Sequence, residues 1–326
     1  MKKGYIRVGL GLVIAFVFLW LMLRQIDAGQ LVDTLKQARS TYLASAVLVF
    51  MFGYVCRVAR WRLMLSKENP DLLLRACLGP FFASVAMNNV LPLRAGDVLR
   101  AFGFNKALKV GASTSVTSLV VERLLDLLMV VCFLGLGLAY FNMDASRLVG
   151  MSSGLLLVGG AAILLFLLCP TVFRPVTGAV AALARAVSPG VGERVRGAFE
   201  NVYGALGHVS KASTMAKLVA WSLAAWLAEG VVFWLVALAI PALTEPAAAW
   251  LALPVATLAT TIPSTPGYVG TFDYFAKIAM TAVGNTPESA AAFAFAVHFV
   301  LWLPPTVVGG LFMLYQTQAA AKNQIP

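Results

Sequence analysis

Glu122, Arg123 and Asp126 fall close together in an otherwise apolar run, Val120-Val121-Glu122-Arg123-Leu124-Leu125-Asp126. On a helix, residues three and four apart are neighbours, so all three occupy one face. One guanidinium between two carboxylates makes an ion pair and leaves an acid over, which suits ligand or proton handling; alternatively, the cluster ties this helix to Arg94 or Arg100. Arg94, Asp97 and Arg100 form a second group. The planar guanidinium fork suits phosphate, and the competing reading is a basic anchor at a membrane surface. Asp273, after Gly270-Thr271-Phe272, either caps the helix that starts there or faces a cavity. A lone histidine such as His298 in an apolar stretch is more often a hydrogen-bonded packing residue than a ligand. Asn88, Asn89, Ser264 and Thr265 sit beside proline and glycine breaks, where they line a polar cavity or simply satisfy interrupted backbone. There is no nucleophile–base pair, no GxxxxGK[ST] loop and no HExxH, and the four cysteines lack CxxC spacing. The expectation is no catalytic residue, no metal and no cofactor.

Composition decides what kind of molecule holds these groups. The chain has 326 residues, 60% hydrophobic and 12% charged, against about 25% charged in soluble domains. A single soluble core stops growing at roughly 250–300 residues and could not hide this much apolar surface. Disorder needs low hydrophobicity and is excluded as well. An all-α polytopic membrane protein remains. Its net charge of +11 then reports orientation in the bilayer and attraction to anionic lipid rather than to nucleic acid.

Crossing about 30 Å of hydrocarbon takes about 20 apolar residues. Six runs qualify: 5–23, 42–59, 115–140, 149–169, 218–240 and 289–315. Two more, 76–93 and 247–283, are broken by proline and glycine. The first lies between basic clusters (Arg57, Arg60, Arg62, Lys67 and Arg75 before it; Arg94, Arg100, Lys106 and Lys109 after it), so a re-entrant hairpin keeps both clusters cytoplasmic. The second lies between loops without Lys or Arg and enters from outside. The expected fold is thus six transmembrane helices plus two re-entrant hairpins, multi-pass in the cytoplasmic (inner) membrane, with both termini cytoplasmic. The loop at about 170–217 carries an amphipathic stripe, Val191, Val195, Phe199, Val202, Leu206 and Val209, suited to the inner membrane surface.

The hairpins echo each other. Leu91-Pro92-Leu93-Arg94-Ala95-Gly96-Asp97-Val98 aligns with Ile262-Pro263-Ser264-Thr265-Pro266-Gly267-Tyr268-Val269. The same displacement carries the span 42–59 onto 213–230 and 115–140 onto 286–311. The chain, 1–326, therefore reads as a single transmembrane domain with an inverted repeat, one unit at about 42–140 and one at about 213–316. Broken segments meeting near the midplane are a recurring transporter plan. Non-helical backbone at that depth survives only in protein or against a wet cavity, so tips built on Pro92, Gly96, Pro263, Pro266, Gly267, Tyr268 and Gly270 imply a polar cavity between them.

Three motifs carry a family resemblance. Asn88-Asn89-Val90-Leu91-Pro92-Leu93-Arg94-Ala95-Gly96-Asp97-Val98-Leu99-Arg100-Ala101-Phe102, Val121-Glu122-Arg123-Leu124-Leu125-Asp126 and Pro263-Ser264-Thr265-Pro266-Gly267-Tyr268-Val269-Gly270-Thr271-Phe272-Asp273 resemble, in order, the signatures of the lysylphosphatidylglycerol synthase transmembrane (flippase-like) family. The chain departs at Asp97 and Asp273, where members often carry Glu, and at Tyr268, where they carry Gly. It ends about ten residues after its last span, so a stand-alone member without the aminoacyltransferase domain is expected. The resemblance implies a flippase or translocase for an anionic or phosphate-bearing lipid. Asn88, Asn89, Arg94, Asp97, Arg100, Glu122, Arg123, Asp126, Ser264, Thr265 and Asp273 would handle the substrate, and the tips would form its gate. The partners so implied are membrane lipids (anionic or polyprenyl-phosphate), a second copy of the chain, or enzymes of lipid or glycan biosynthesis. The alternatives are a non-transporting membrane partner of such an enzyme and an intramembrane lipid-phosphate enzyme.

Overall fold

The computed structural model describes residues 13–14, 16–24, 26–143, 153–209, 212–262 and 265–322, and all regular structure among them is helical. Residues 13–14 and 16–23 are helical; the remainder of the expected span 5–23 lies outside the described residues. Asp27 then caps α1 (Ala28–Lys36), its carboxylate accepting from the Gly29 and Gln30 amides at 2.7 and 3.0 Å. The long helices are α2 (Ser40–Leu65), α4 (Ala112–Tyr140), α8 (Ala212–Ala239) and α11 (Pro287–Lys322). Between them come α3 (Leu74–Val90), α5 (Ser153–Leu168), α6 (Arg174–Val187), α7 (Pro189–Val209), α9 (Ala249–Ala259) and α10 (Thr271–Ala282).

By length and composition, three described helices can cross a membrane: Ser40–Leu65, Ser213–Ala239 and Pro287–Gln318. Leu48, Phe52, Leu136, Phe299 and Leu311 point outward and stay exposed, as side chains do when the surrounding solvent is hydrocarbon. The chain is a multi-pass membrane protein. At the expected span 149–169, whose first four residues lie outside the described set, α5 is followed by a bend of 118° into the segment Pro170–Val187. The loop holds two helices, α6 and α7, packed on each other, and the expected stripe lies on α7. Leu206 of the α7 stripe is buried, and Val195, Phe199 and Val202 are half-buried. The exposed apolar stripe lies instead on α6, at Val176, Val180, Leu183 and Val187.

Both proline-broken segments double back. α3 runs unbroken through Asn88 and Asn89 to Val90. Proline disfavours the helical conformation in the residue before it; Leu91, before Pro92, is extended at φ −103°, ψ 145°. A 3-10 turn, Pro92–Arg94, leads to Arg94 in the left-handed region (φ 53°), and the chain returns along α3 through the short helix Ala95–Val98 and a π turn, Leu99–Gly103. The return depends on Gly96, since a Cβ there would lie 1.7 Å from the Ser84 carbonyl oxygen. In the second hairpin α9 packs against α10. Pro263 and Ser264 of its tip lie outside the described residues; the remainder turns through Pro266–Tyr268 with Gly267, Tyr268 and Gly270 at φ 70°, 62° and 87°.

Candidate functional site

The two tips meet. Arg94 donates from Nε to the Tyr268 hydroxyl at 2.8 Å. Around this contact lies a cavity of about 470 Å³, lined by Asn88, Leu91, Pro92 and Arg94 from the first hairpin and by Thr260, Thr261, Thr265, Pro266, Gly267 and Tyr268 from the second. Arg94 is the charged residue in that lining. The Thr260 and Thr261 hydroxyls donate to the carbonyls of Thr257 and Leu258, both at 2.7 Å, so these residues satisfy backbone as well as lining the cavity.

The other charges lie behind the cavity, joined in pairs. Arg100 donates to Glu122 at 2.7 Å, both buried, with the guanidinium over the Phe81 ring. Arg60, fully buried in α2, donates through Nη1 to Asp126 at 2.8 Å and to Ser222 at 2.9 Å, while its Nη2 stands 3.8 Å from Glu122. The Trp226 indole donates to Asp126 at 3.2 Å. Half-exposed Arg123 meets Asp97 at 3.2 Å, and Asp97 is fixed by Asn88, whose amide donates to it at 2.9 Å. Arg57 pairs with Glu229 across α2 and α8. Arg57, Arg60, Arg100 and Arg123 thus balance Asp97, Glu122, Asp126 and Glu229.

This arrangement corrects two expectations. No acid is left over on the Glu122/Asp126 face, because Arg60 and Arg100 arrive from other elements and Arg123 turns to Asp97. Arg100 does not extend a basic surface cluster; it is buried. Arg94 stands at the meeting of the tips. Among the described residues, no carboxylate lies within ion-pair distance of Arg94, whose side chain bonds Tyr268. Arg57 and Arg60 were missed. They read as the start of a cytoplasmic basic run, but α2 continues to Leu65 and carries both inward. Their spacing of three within an apolar helix was the available signal.

Asn89 and Asp273 bond to α11 instead of the cavity. The Asn89 side-chain amide donates to the Thr306 hydroxyl at 2.8 Å and to the Trp302 carbonyl at 3.3 Å, and its backbone carbonyl accepts the Trp302 indole N–H at 3.3 Å. Asn89→Ala removes the two amide bonds, keeps the backbone one, and is expected to lower stability by about 1–3 kcal/mol. Unfolding of Asn89→Ala, Thr306→Val and the double variant checks this, since coupled groups give non-additive losses. Asp273 accepts the Gly270 amide at 2.8 Å, opening α10, and its other oxygen meets His298 Nδ1 at 2.7 Å. Both readings of Asp273 as a cap and of His298 as a hydrogen-bonded packing residue describe these contacts. Among the described residues, no group of three His, Cys, Asp or Glu side chains could hold a metal ion.

A family model described as the lysylphosphatidylglycerol synthase TM region matches residues 8–309. The chain is also 26% identical over 331 residues to a protein of Haloferax volcanii named glycosyltransferase AglD. That match takes in 92% of this chain and 53% of the relative, so the chain spans about half the relative's length.

Proposed function

Because the chain belongs to the lysylphosphatidylglycerol synthase transmembrane-region family, we propose that it is a lipid translocase, moving an anionic or phosphate-bearing lipid across the cytoplasmic membrane. The observation that carries this reading is Arg94, a guanidinium without a carboxylate partner among the described residues, at the wall of a cavity between two hairpin tips. Carrying a charged head group through hydrocarbon is costly. A polar chamber lowers that barrier, and Arg94 supplies the opposite charge where it is needed. A phosphate that takes the Nε–Nη edge of Arg94 in a bidentate grip competes with Tyr268 for Nε. Binding thereby loosens the contact between the tips and lets the hairpins part.

In this reading the tips are the gate, and Asn88 and Thr265 face the head group while Ser264 and Pro263 complete the second tip. Asp97, Arg100, Glu122, Arg123 and Asp126 form a supporting network that re-pairs as access alternates. Arg60 Nη2 and Glu122 Oε2 have no hydrogen-bond partner among the described residues and stand 3.8 Å apart, which supports a network able to exchange partners. Six spans, two re-entrant hairpins and cytoplasmic termini belong to the same proposal. The matching order of α2, α3, the return 95–103 and α4 with α8, α9, α10 and α11 supports an inverted repeat, as does Arg57 meeting Glu229 at near-equivalent positions of α2 and α8.

Reconstitution tests this. Purified protein in liposomes is expected to translocate a fluorescent phospholipid or polyprenyl-phosphate lipid faster than empty liposomes. Equal rates for every lipid class refute it. The glycosyltransferase name of the Haloferax volcanii relative favours a second reading, a membrane partner of a glycan-assembling enzyme without transport of its own. There, Arg94→Gln would leave the enzyme's output unchanged.

A further inference from the structure

His298 lies between two acceptors. Its Nδ1 is 2.7 Å from Asp273 Oδ1 and its Nε2 is 2.9 Å from the Gly267 carbonyl oxygen. A carbonyl oxygen only accepts, so Nε2 carries a hydrogen. A neutral imidazole has one N–H, which leaves Nδ1 bare, and a bare nitrogen has no hydrogen bond to make with an ionised carboxylate. The Nδ1–Oδ1 contact thus needs one more proton, on either atom. Asp273 is almost wholly buried, and its remaining oxygen already accepts the Gly270 amide. We propose that Asp273 and His298 jointly bind one exchangeable proton, and that this proton holds the second hairpin tip against the first.

Gly267 is the pivot. At φ +70° it lies so close to α11 that a Cβ would stand 2.9 Å from Trp302 Nε1 and 3.3 Å from the Asn89 carbonyl oxygen. Its neighbour Tyr268 occupies Arg94. Without the proton, the ring's one remaining N–H goes to the ionised carboxylate, the stronger acceptor, and Nε2 faces the Gly267 carbonyl as a lone pair. That contact breaks, the tip is released, and Arg94 opens to an anion. On the elements packed against α11, Lys277 bonds the Met22 carbonyl, Arg62 the Leu72 carbonyl, Arg57 pairs with Glu229, Arg60 with Asp126 and Asp33 with Lys36, while Arg75 and Lys217 have no ion pair among the described residues. Asp273 is the charged group that meets the ring. Coupling of this proton to lipid movement rests on the translocase reading; the proton itself does not.

The chain has two histidines, so ¹⁵N-histidine labelling of the full protein in nanodiscs, with His208→Gln, isolates His298. The expected wild-type spectrum has Nε2 protonated and a far-downfield proton between Nδ1 and Oδ1. Raising the pH removes that proton and, in liposomes, speeds translocation of a phosphate lipid. In Asp273→Asn the amide can donate to Nδ1 and accept from Gly270. The downfield proton is then lost, Nε2–H is kept, and translocation no longer changes with pH. A bare Nε2 in the wild type, or a downfield proton that survives in Asp273→Asn, overturns the proposal. If no lipid moves in any arm, the translocase reading fails, and the spectra still decide whether the proton is there.

Discussion

Arg60→Met is expected to prevent the protein from accumulating in a folded form. Arg60 has no solvent exposure and binds Asp126 of α4 and Ser222 of α8 from α2, so one side chain joins three helices. Without it, Asp126 keeps only the Trp226 indole among its described partners, and an ionised carboxylate stays buried. Removing one member of a buried pair costs about 3–5 kcal/mol, mostly for stranding the other. That is a large share of the roughly 5–15 kcal/mol that holds a typical domain together. Asp126→Asn can still accept from Trp226 and Arg60, so it should be milder. The double variant Arg60→Met/Asp126→Asn should recover part of the loss. Thermal unfolding of the three in detergent checks this. If Arg60→Met melts with the wild type, the buried charges do not tie α2, α4 and α8 together.

Gly96→Ala is expected to disrupt the first hairpin. The added carbon would stand 1.7 Å from the Ser84 carbonyl oxygen and 2.8 Å from Asn88 Oδ1. Backbone cannot swing aside as a flexible side chain can, so the returning segment must lift from α3. The cost should reach or exceed the roughly 1–3 kcal/mol of ordinary overpacking. The shift also pulls Asp97 from Asn88 and carries Arg94 from Tyr268, so lipid translocation should be lost with stability. Gly135→Ala is the control. It lies within α4 with nothing inside 4 Å of its would-be Cβ, and alanine favours helix there. A Gly96→Ala protein as stable and active as Gly135→Ala would mean that the tight return is unimportant.

Some of this was legible in the chain because local chemistry forces it. Pro92 dictates an extended Leu91, and the glycines at 267 and 270 mark a left-handed backbone, so both turns were visible as breaks. The apolar excess dictated helices in lipid, and depth made Glu122, Arg123 and Asp126 stand out. What stayed hidden was partner choice between helices. Helical spacing puts Arg123 beside Asp126, yet Arg60 takes Asp126 and Arg123 turns to Asp97. A one-dimensional pattern reports which side chains share a face and not which face arrives opposite. The same limit hid Arg57 and Arg60, which the charge pattern assigned to a surface because basic residues follow them. The bend after α5 was also missed: the apolar run up to Cys169 gives no periodic signal, although Pro170 stands at the corner.

The central claim is that Arg94 recognises the anionic head group in the chamber between the tips, and Arg94→Gln tests it most directly. Glutamine keeps hydrogen-bonding capacity toward Tyr268 and removes the charge. The wild type and Arg94→Gln, matched for folded yield in liposomes, should be compared on a phosphate-bearing lipid and on an uncharged lipid of the same chains. Losing a charge-assisted hydrogen bond of about 1.5–3 kcal/mol predicts a roughly 10- to 150-fold slower movement of the phosphate lipid, with the uncharged lipid little changed. Equal rates of phosphate-lipid movement in the two proteins would contradict the account.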